Sequence, residues 1–326
     1  MAAPAPLKIE ITRGDVTESS HAVHAVVMNG LGETIAVYGN ARRLTYPRSS
    51  LKPLQSLALV ESGAAAAFEL SDAEIALACA SHSGEDIHTS AVATWLQRLE
   101  TDENELECGA HAPYANSCAP ASVLCNNCSG KHTGMLTLSR FLKSPTRGYI
   151  DGGHPVQEKI LSTISDMCGH DLTPADCGID GCSAPNPAMP LIDLARGFAR
   201  FMNPSSFTMA RGGACRHIYS AMTAHPELVG GTGRIDTILM RAAKGDILSK
   251  VGGEAVHIAV IPAKDAVIAL KVEDGASRAS QAALYALLEK HKLASNDVLD
   301  AIRPTCLPVL KNWRGLKTGV IRIGDE

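Results

Sequence analysis

The sequence has no excess of positive charge: 30 Lys and Arg stand against 34 Asp and Glu, for a net charge of −4. Without a basic stripe there is no electrostatic footprint for a polyanion, so no nucleic-acid partner is expected. No apolar run approaches the roughly 20 residues a membrane-spanning helix needs, and the opening Met1-Ala2-Ala3-Pro4-Ala5-Pro6-Leu7-Lys8 lacks a charged-then-apolar signal pattern. No membrane association and a cytoplasmic location are therefore expected. Aromatic residues are few, at 4% of the chain. Repeats, low-complexity tracts and long Pro/Gly/Ser linkers are absent, so a single domain spanning residues 1–326 is the expectation.

Cysteine, by contrast, is plentiful. Ten are spread irregularly over 326 residues, unlike the dense framework of a small secreted domain, so most are expected to be reduced and buried.

From Leu7 to about Asn40 the chain alternates apolar and polar residues, and His24–Met28 and Thr34–Tyr38 read as a hairpin around Asn29-Gly30-Leu31-Gly32. From Ser49 the apolar spacing becomes helical, and residues of about 50–250 read as mainly helical. Examples are Thr89–Leu99, Met135–Leu142, Pro155–Met167 and Arg216–Ala224. Two strands follow, Ala255–Ile261 and Ala266–Val272, before a helix from about Arg278 to His291. Strands at both ends of a helical middle predict an α/β (α+β) fold whose one sheet is assembled from the two termini.

Ser49-Ser50-Leu51-Lys52 places a hydroxyl and an amine three residues apart at a helix start, where both emerge on one face. A lysine whose pKa is lowered by burial or by a second cation can take a serine proton near neutral pH. The spacing alone is equally that of an N-capping serine and a solvent-facing lysine. Ala80-Ser81-His82-Ser83-Gly84-Glu85-Asp86 gathers hydroxyls, an imidazole and carboxylates, suited either to proton relay or to a plain polar loop. Ser71-x-x-Glu74 upstream reads as a capping box.

Cys125-Asn126-Asn127-Cys128-Ser129-Gly130-Lys131-His132 is not a phosphate-binding loop, which needs Gly at position 125 and Ser or Thr at 132. It lacks the strand context of a redox Cys-x-x-Cys, and no second close pair completes a zinc ribbon. A sparse metal site with a distant ligand stays open, and Asp180-Gly181-Cys182-Ser183-Ala184-Pro185 is the best second contributor.

Taken together, Arg48–Pro53, Cys79–Asp86, Cys125–His132, Gly178–Cys182, Ala224–Glu227 and Gly245–Gly252 resemble the thermolabile L-asparaginase II family of rhizobial type. The resemblance thins after about Leu307. It implies a fold like the serine β-lactamases and glutaminases, and hydrolysis of L-asparagine to L-aspartate and ammonia by a homodimer. It implies two catalytic tandems, Ser49 with Lys52 and Ser81 with Lys250, in a pocket lined by Arg48, His132 and Asp180. It further implies a zinc ion on Cys128, Lys131 and Cys182 that assists substrate binding. Rival readings are a penicillin-recognising serine hydrolase, for which Lys317-Thr318-Gly319 would supply a signature, a glutaminase, and a non-enzymatic zinc-binding protein.

Overall fold

The computed structural model describes residues 4–115 and 120–324. Eight strands form the main sheet: β1 (Leu7–Arg13), β2 (Val16–Met28), β3 (Thr34–Tyr38), β4 (Leu248–Gly252), β5 (Val256–Ile261), β6 (Ala266–Val272), β7 (Val309–Lys311) and β8 (Lys317–Ile323). Their spatial order is β7-β8-β1-β2-β6-β5-β4, with β3 paired to the far half of β2, and the pairs are antiparallel. Both termini thus feed one sheet, and the mixed α/β architecture read from the sequence is the one observed.

The central strands are buried on both faces, and their alternation separates two cores. Val256, Ile258 and Val260 of β5 face the helical middle, whereas Ala259 and Ile261 face the C-terminal helices. Among the described residues, ten helices of seven residues or more supply the layers: α1 (Lys52–Glu61), α2 (Asp72–Ala78), α3 (Asp86–Arg98), α4 (Ser129–Phe141), α5 (Pro155–Cys168), α6 (Leu191–Met202), α7 (Met209–Ala224), α8 (Ile235–Ala243), α9 (Ser277–Lys290) and α10 (Asn296–Cys306). Helix α6 packs on β2, β5 and β6 from one side, and α9 covers β1, β6 and β8 from the other. The result is a helix–sheet–helix sandwich, with α1 to α5 stacked beyond α6.

Several local readings are met atom by atom. Ser71 caps α2 by accepting from the Glu74 backbone while the Glu74 carboxylate accepts from the Ser71 backbone. Pro155 opens α5, and Asn29–Glu33 turns β2 into β3. Three strand segments were not anticipated. They are β4, which begins within the stretch read as mainly helical, and β7 and β8, which lie at one edge of the sheet where polar, exposed residues erase the apolar alternation. Strand β4 is short and ends in Gly252.

Among the described residues, no helix is long and apolar enough to cross a membrane. Nine cysteines among the described residues are free, eight of them buried.

Candidate active site

The turn carrying Ser49 is strained. Pro47 leads into a short 3-10 turn, Arg48–Leu51, in which Arg48 adopts the left-handed conformation with φ of 54° before α1 begins at Lys52. Two neighbours hold that conformation. The Arg48 Nε donates to Asp180 Oδ1 at 2.7 Å, and the end of β4 presses on the turn so closely that a Cβ at Gly252 would collide with the Pro47 carbonyl. Ser49, half-buried, is thereby presented to a cleft of about 330 Å³. Ser81 in the segment that follows α2, Asn127, Cys128, Asp180 and Cys182 share its walls.

Two fully buried lysines, Lys52 and Lys250, lie behind the cleft. Lys52, 1% exposed, donates to the Ala80 carbonyl, to Ser81 Oγ at 3.2 Å and to the Asn127 carbonyl at 3.3 Å. The helix start therefore points Lys52 at Ser81, and the Ser49 hydroxyl has no hydrogen bond among the described residues. Lys250 lies on β4 opposite Ile258, so the two-residue period turns it toward the same core as Ile258 and Leu248. Its amine donates to the Val251 carbonyl at 2.9 Å and sits 3.6 Å from Asp236; no hydrogen bond joins it to Ser81. Burial, opposed by the Asp236 carboxylate and assisted by the Lys52 cation, lowers Lys250 to about 8.

Asp236 carried no motif in the sequence. Its carboxylate, buried in α8, accepts from Ser249 Oγ at 2.7 Å and from the Val251 backbone at 3.0 and 3.1 Å. It stays ionised: burial pushes its pKa up, but Lys250 and His257 more than offset this and hold it well below the usual carboxylate range.

Cys128, Lys131 and Cys182 come together from the start of α4 and the turn after Ile179. Lys131 Nζ donates to Cys182 Sγ at 3.0 Å. The Cys128 thiol donates to Asn127 Oδ1 at 3.3 Å on the same cleft wall; Cys128 and Lys131 strongly lower the Cys182 pKa against the effect of burial, while Cys128 itself is raised. Burial disfavours a charged Lys131, but the two sulfurs hold its pKa above the ordinary lysine value. His132 is fully buried and outside the cleft wall; Nδ1 bonds the Tyr149 hydroxyl at 2.8 Å, whereas Nε2, beside the Cys182 sulfur, has no hydrogen-bond partner.

The Ala80–Asp86 segment contributes Ser81, and its remaining polar groups knit the backbone. His82 Nε2 bonds Ser129 Oγ at 2.9 Å, His88 Nε2 bonds the Glu227 carbonyl at 2.9 Å, and Glu85 holds Ser83 and Thr232. Burial, reinforced by His88, keeps His82 neutral. Lys317-Thr318-Gly319 lies in β8, four strands removed from β4, with Lys317 exposed.

A family model described as L-asparaginase II matches residues 9–323. The chain belongs to the L-asparaginase II family. The match runs through β7 and β8, so the C-terminal segment expected to diverge after Leu307 lies within the family's span. No curated protein matches the chain. Among solved structures, a beta-lactamase from Mycobacterium bovis superposes with a TM-score of 0.45 at 13% identity, over 83% of this chain and 95% of that one.

Proposed function

We propose that the protein hydrolyses the side-chain amide of L-asparagine to L-aspartate and ammonia through an acyl-enzyme on Ser49. The observation that carries this is the convergence of two buried lysines, Lys52 and Lys250, behind a cleft that displays two serine hydroxyls. Burying a lysine is costly unless its environment uses the amine, and an amine titrating near 8 is matched to proton transfer around neutrality. Ser49 Oγ bonds to the amide carbon as its proton passes toward the Lys52 amine. The contact between Lys52 and Ser81 offers the next station, from which the proton reaches the departing nitrogen as the C–N bond breaks. Water then attacks the ester, returning the proton to Ser49 and releasing aspartate. Lys250 in its base form takes part in the relay through Ser81, its Nζ swinging from the Val251 carbonyl. Backbone N–H groups where the Arg48–Leu51 turn enters α1 would stabilise the oxyanion.

Zinc belongs to the same proposal. Among the described residues no three His, Cys, Asp or Glu side chains converge as a metal site, so a metal here requires the Lys131 amine as third donor. An amine 3.0 Å from the Cys182 sulfur, with the Cys128 sulfur on the same cleft wall and an unpartnered imidazole nitrogen beside them, is donor chemistry that suits zinc. Cys128, Lys131 and Cys182 would hold the ion, and binding would release the protons of Cys128 and Lys131, so affinity should fall on acidification. Bound there, zinc would supply positive charge at the cleft wall that helps place substrate; with two thiolates it is a weak Lewis acid. Chelation should therefore raise KM while saturated turnover persists, and an apo-enzyme with no turnover at saturating asparagine would contradict this role. A cytoplasmic homodimer completes the reading, and light scattering in solution tests its size.

Ammonia release from asparagine and glutamine by the wild type and by Ser49→Ala, Ser81→Ala and Lys250→Met tests the mechanism, with nitrocefin as a check on penicillin recognition. Retained activity in Ser49→Ala would sink the central assignment. Glutamine is the closest competitor, because one methylene shifts binding by only about 1–3 kcal/mol.

A further inference from the structure

Four fully charged side chains line the cleft: Arg48, Asp180, Arg234 and Glu254. The first two neutralise one another. Asp180 Oδ1 takes Arg48 Nε at 2.7 Å and its own neighbour Gly181 N at 2.7 Å, and Oδ2 takes Asn186 Nδ2 at 3.1 Å. That carboxylate is satisfied within the protein, and the pair braces the Ser49 turn.

Arg234 and Glu254 differ. Neither side chain makes a hydrogen bond or ion pair with a described residue, although both face the same cleft as Ser49 and Ser81. They carry opposite charges. Arg234 is half-buried at the entry to α8, in extended backbone with φ of −77° and ψ of 143° that follows the Gly231–Gly233 loop. The start of that nine-residue helix adds positive potential at the same place. Glu254 sits in left-handed backbone at φ 54° and ψ 36°, followed by Ala255 at φ 57°. Two successive non-glycine residues in that region are costly and persist only where surrounding structure imposes them. Here Lys271 Nζ pins the Glu254 carbonyl at 2.7 Å, while the carboxylate is left free.

We propose that Arg234 and Glu254 are the specificity-determining residues, receiving respectively the α-carboxylate and the α-ammonium of a free amino acid whose side-chain amide lies at Ser49 and Ser81. The inference rests on the amidohydrolase reading above and adds what selects the substrate. One unpaired cation and one unpaired anion match a zwitterion. An asparagine within a peptide has neither charge, so it would leave both side chains unmatched.

Two truncated amides isolate the two contacts: 3-aminopropanamide is asparagine without its carboxylate, and succinamic acid is asparagine without its amine. The wild type should favour asparagine over either in kcat/KM by on the order of 10- to 100-fold, as expected for one charged hydrogen-bonding contact. Arg234→Met should raise KM for asparagine and lose the preference over 3-aminopropanamide alone. Arg234→Lys should restore part of it. Glu254→Gln should lose the preference over succinamic acid alone. Circular dichroism and thermal melts establish that each variant is folded, and Arg234→Lys gives a second reading of that site. An active wild type whose variants keep both preferences overturns the specificity assignment by itself. No ammonia from asparagine, glutamine or either truncated amide overturns the amidohydrolase reading and this assignment with it.

Discussion

The sheet carries the same short pattern, Lys-x-Gly, toward its two ends: Lys250-Val251-Gly252 on β4 and Lys317-Thr318-Gly319 on β8. Lys250 is completely buried, faces the core of the helical middle, and has a buried carboxylate 3.6 Å away. Lys317 is exposed on a strand that continues outward to β7. By sequence the second tripeptide is the closer match to a known hydrolase signature. By environment only the first can alter an amine, because water screens an exposed lysine and leaves it an ordinary cation. Gly252 differs from Gly319 in the same sense: it lets β4 press on the strained turn of Ser49, whereas Gly319 packs on the backbone of Thr12 in β1.

The largest expected effect separates the two ends directly. Lys250→Met should reduce kcat for asparagine by about 10²–10⁴-fold, the range of a lost proton-transfer group, with the fold retained by circular dichroism. Activity within tenfold of wild type would remove the contrast.

Next in size is the pH dependence. The proposed relay needs the base form of Lys250, whose pKa burial lowers to about 8, so kcat should rise with pH through that region and fall below it. A flat profile from pH 6 to 9 would count against the assignment.

A smaller effect is expected at the supporting carboxylate. Asp236→Asn removes the negative charge that favours the lysine cation, so the acidic limb should move to lower pH. Stability to urea should drop by about 1–3 kcal/mol for the disrupted buried bonds. A limb displaced to higher pH would reverse the sign of the proposed coupling.

At the other end of the sheet, Lys317→Met should leave kcat/KM unchanged and stability within about 0.5 kcal/mol. A substantial loss of activity there would show that β8 contributes to the reaction.

Legibility followed the range of the interactions. Helix starts, the capping box at Ser71 and Glu74, the hairpin of β2 and β3, and the buried strands β5 and β6 could be read locally, since each depends on neighbours within a few residues. Strands near the β7 edge could not, because pairing there is decided by a partner far along the chain: Ile9 meets Ile323 and Ile11 meets Ile321. At the site, Ser49, Lys52, Ser81, Cys128 and Cys182 were named from motifs and resemblance, and these segments do meet around or immediately behind one cleft. Arg234, Asp236 and Glu254 were passed over. Their only local signs are a helix start after Gly231-Thr232-Gly233 and a Gly-Gly step before Glu254, both common in loops.

By itself the sequence determined the period of each central element, the absence of a basic or membrane-spanning surface, and the supply of hydroxyls, amines and thiols. Only the tertiary structure decided which of them interact. It brought Lys52 to Ser81, gave Lys250 a buried counterion, set Cys128 and Cys182 on one cleft wall, and left Arg234 and Glu254 without partners at the cleft. The physical reason is that proton affinity and nucleophilicity depend on distance, burial and neighbouring charge, and those quantities exist only once residues far apart in the chain share one low-dielectric space.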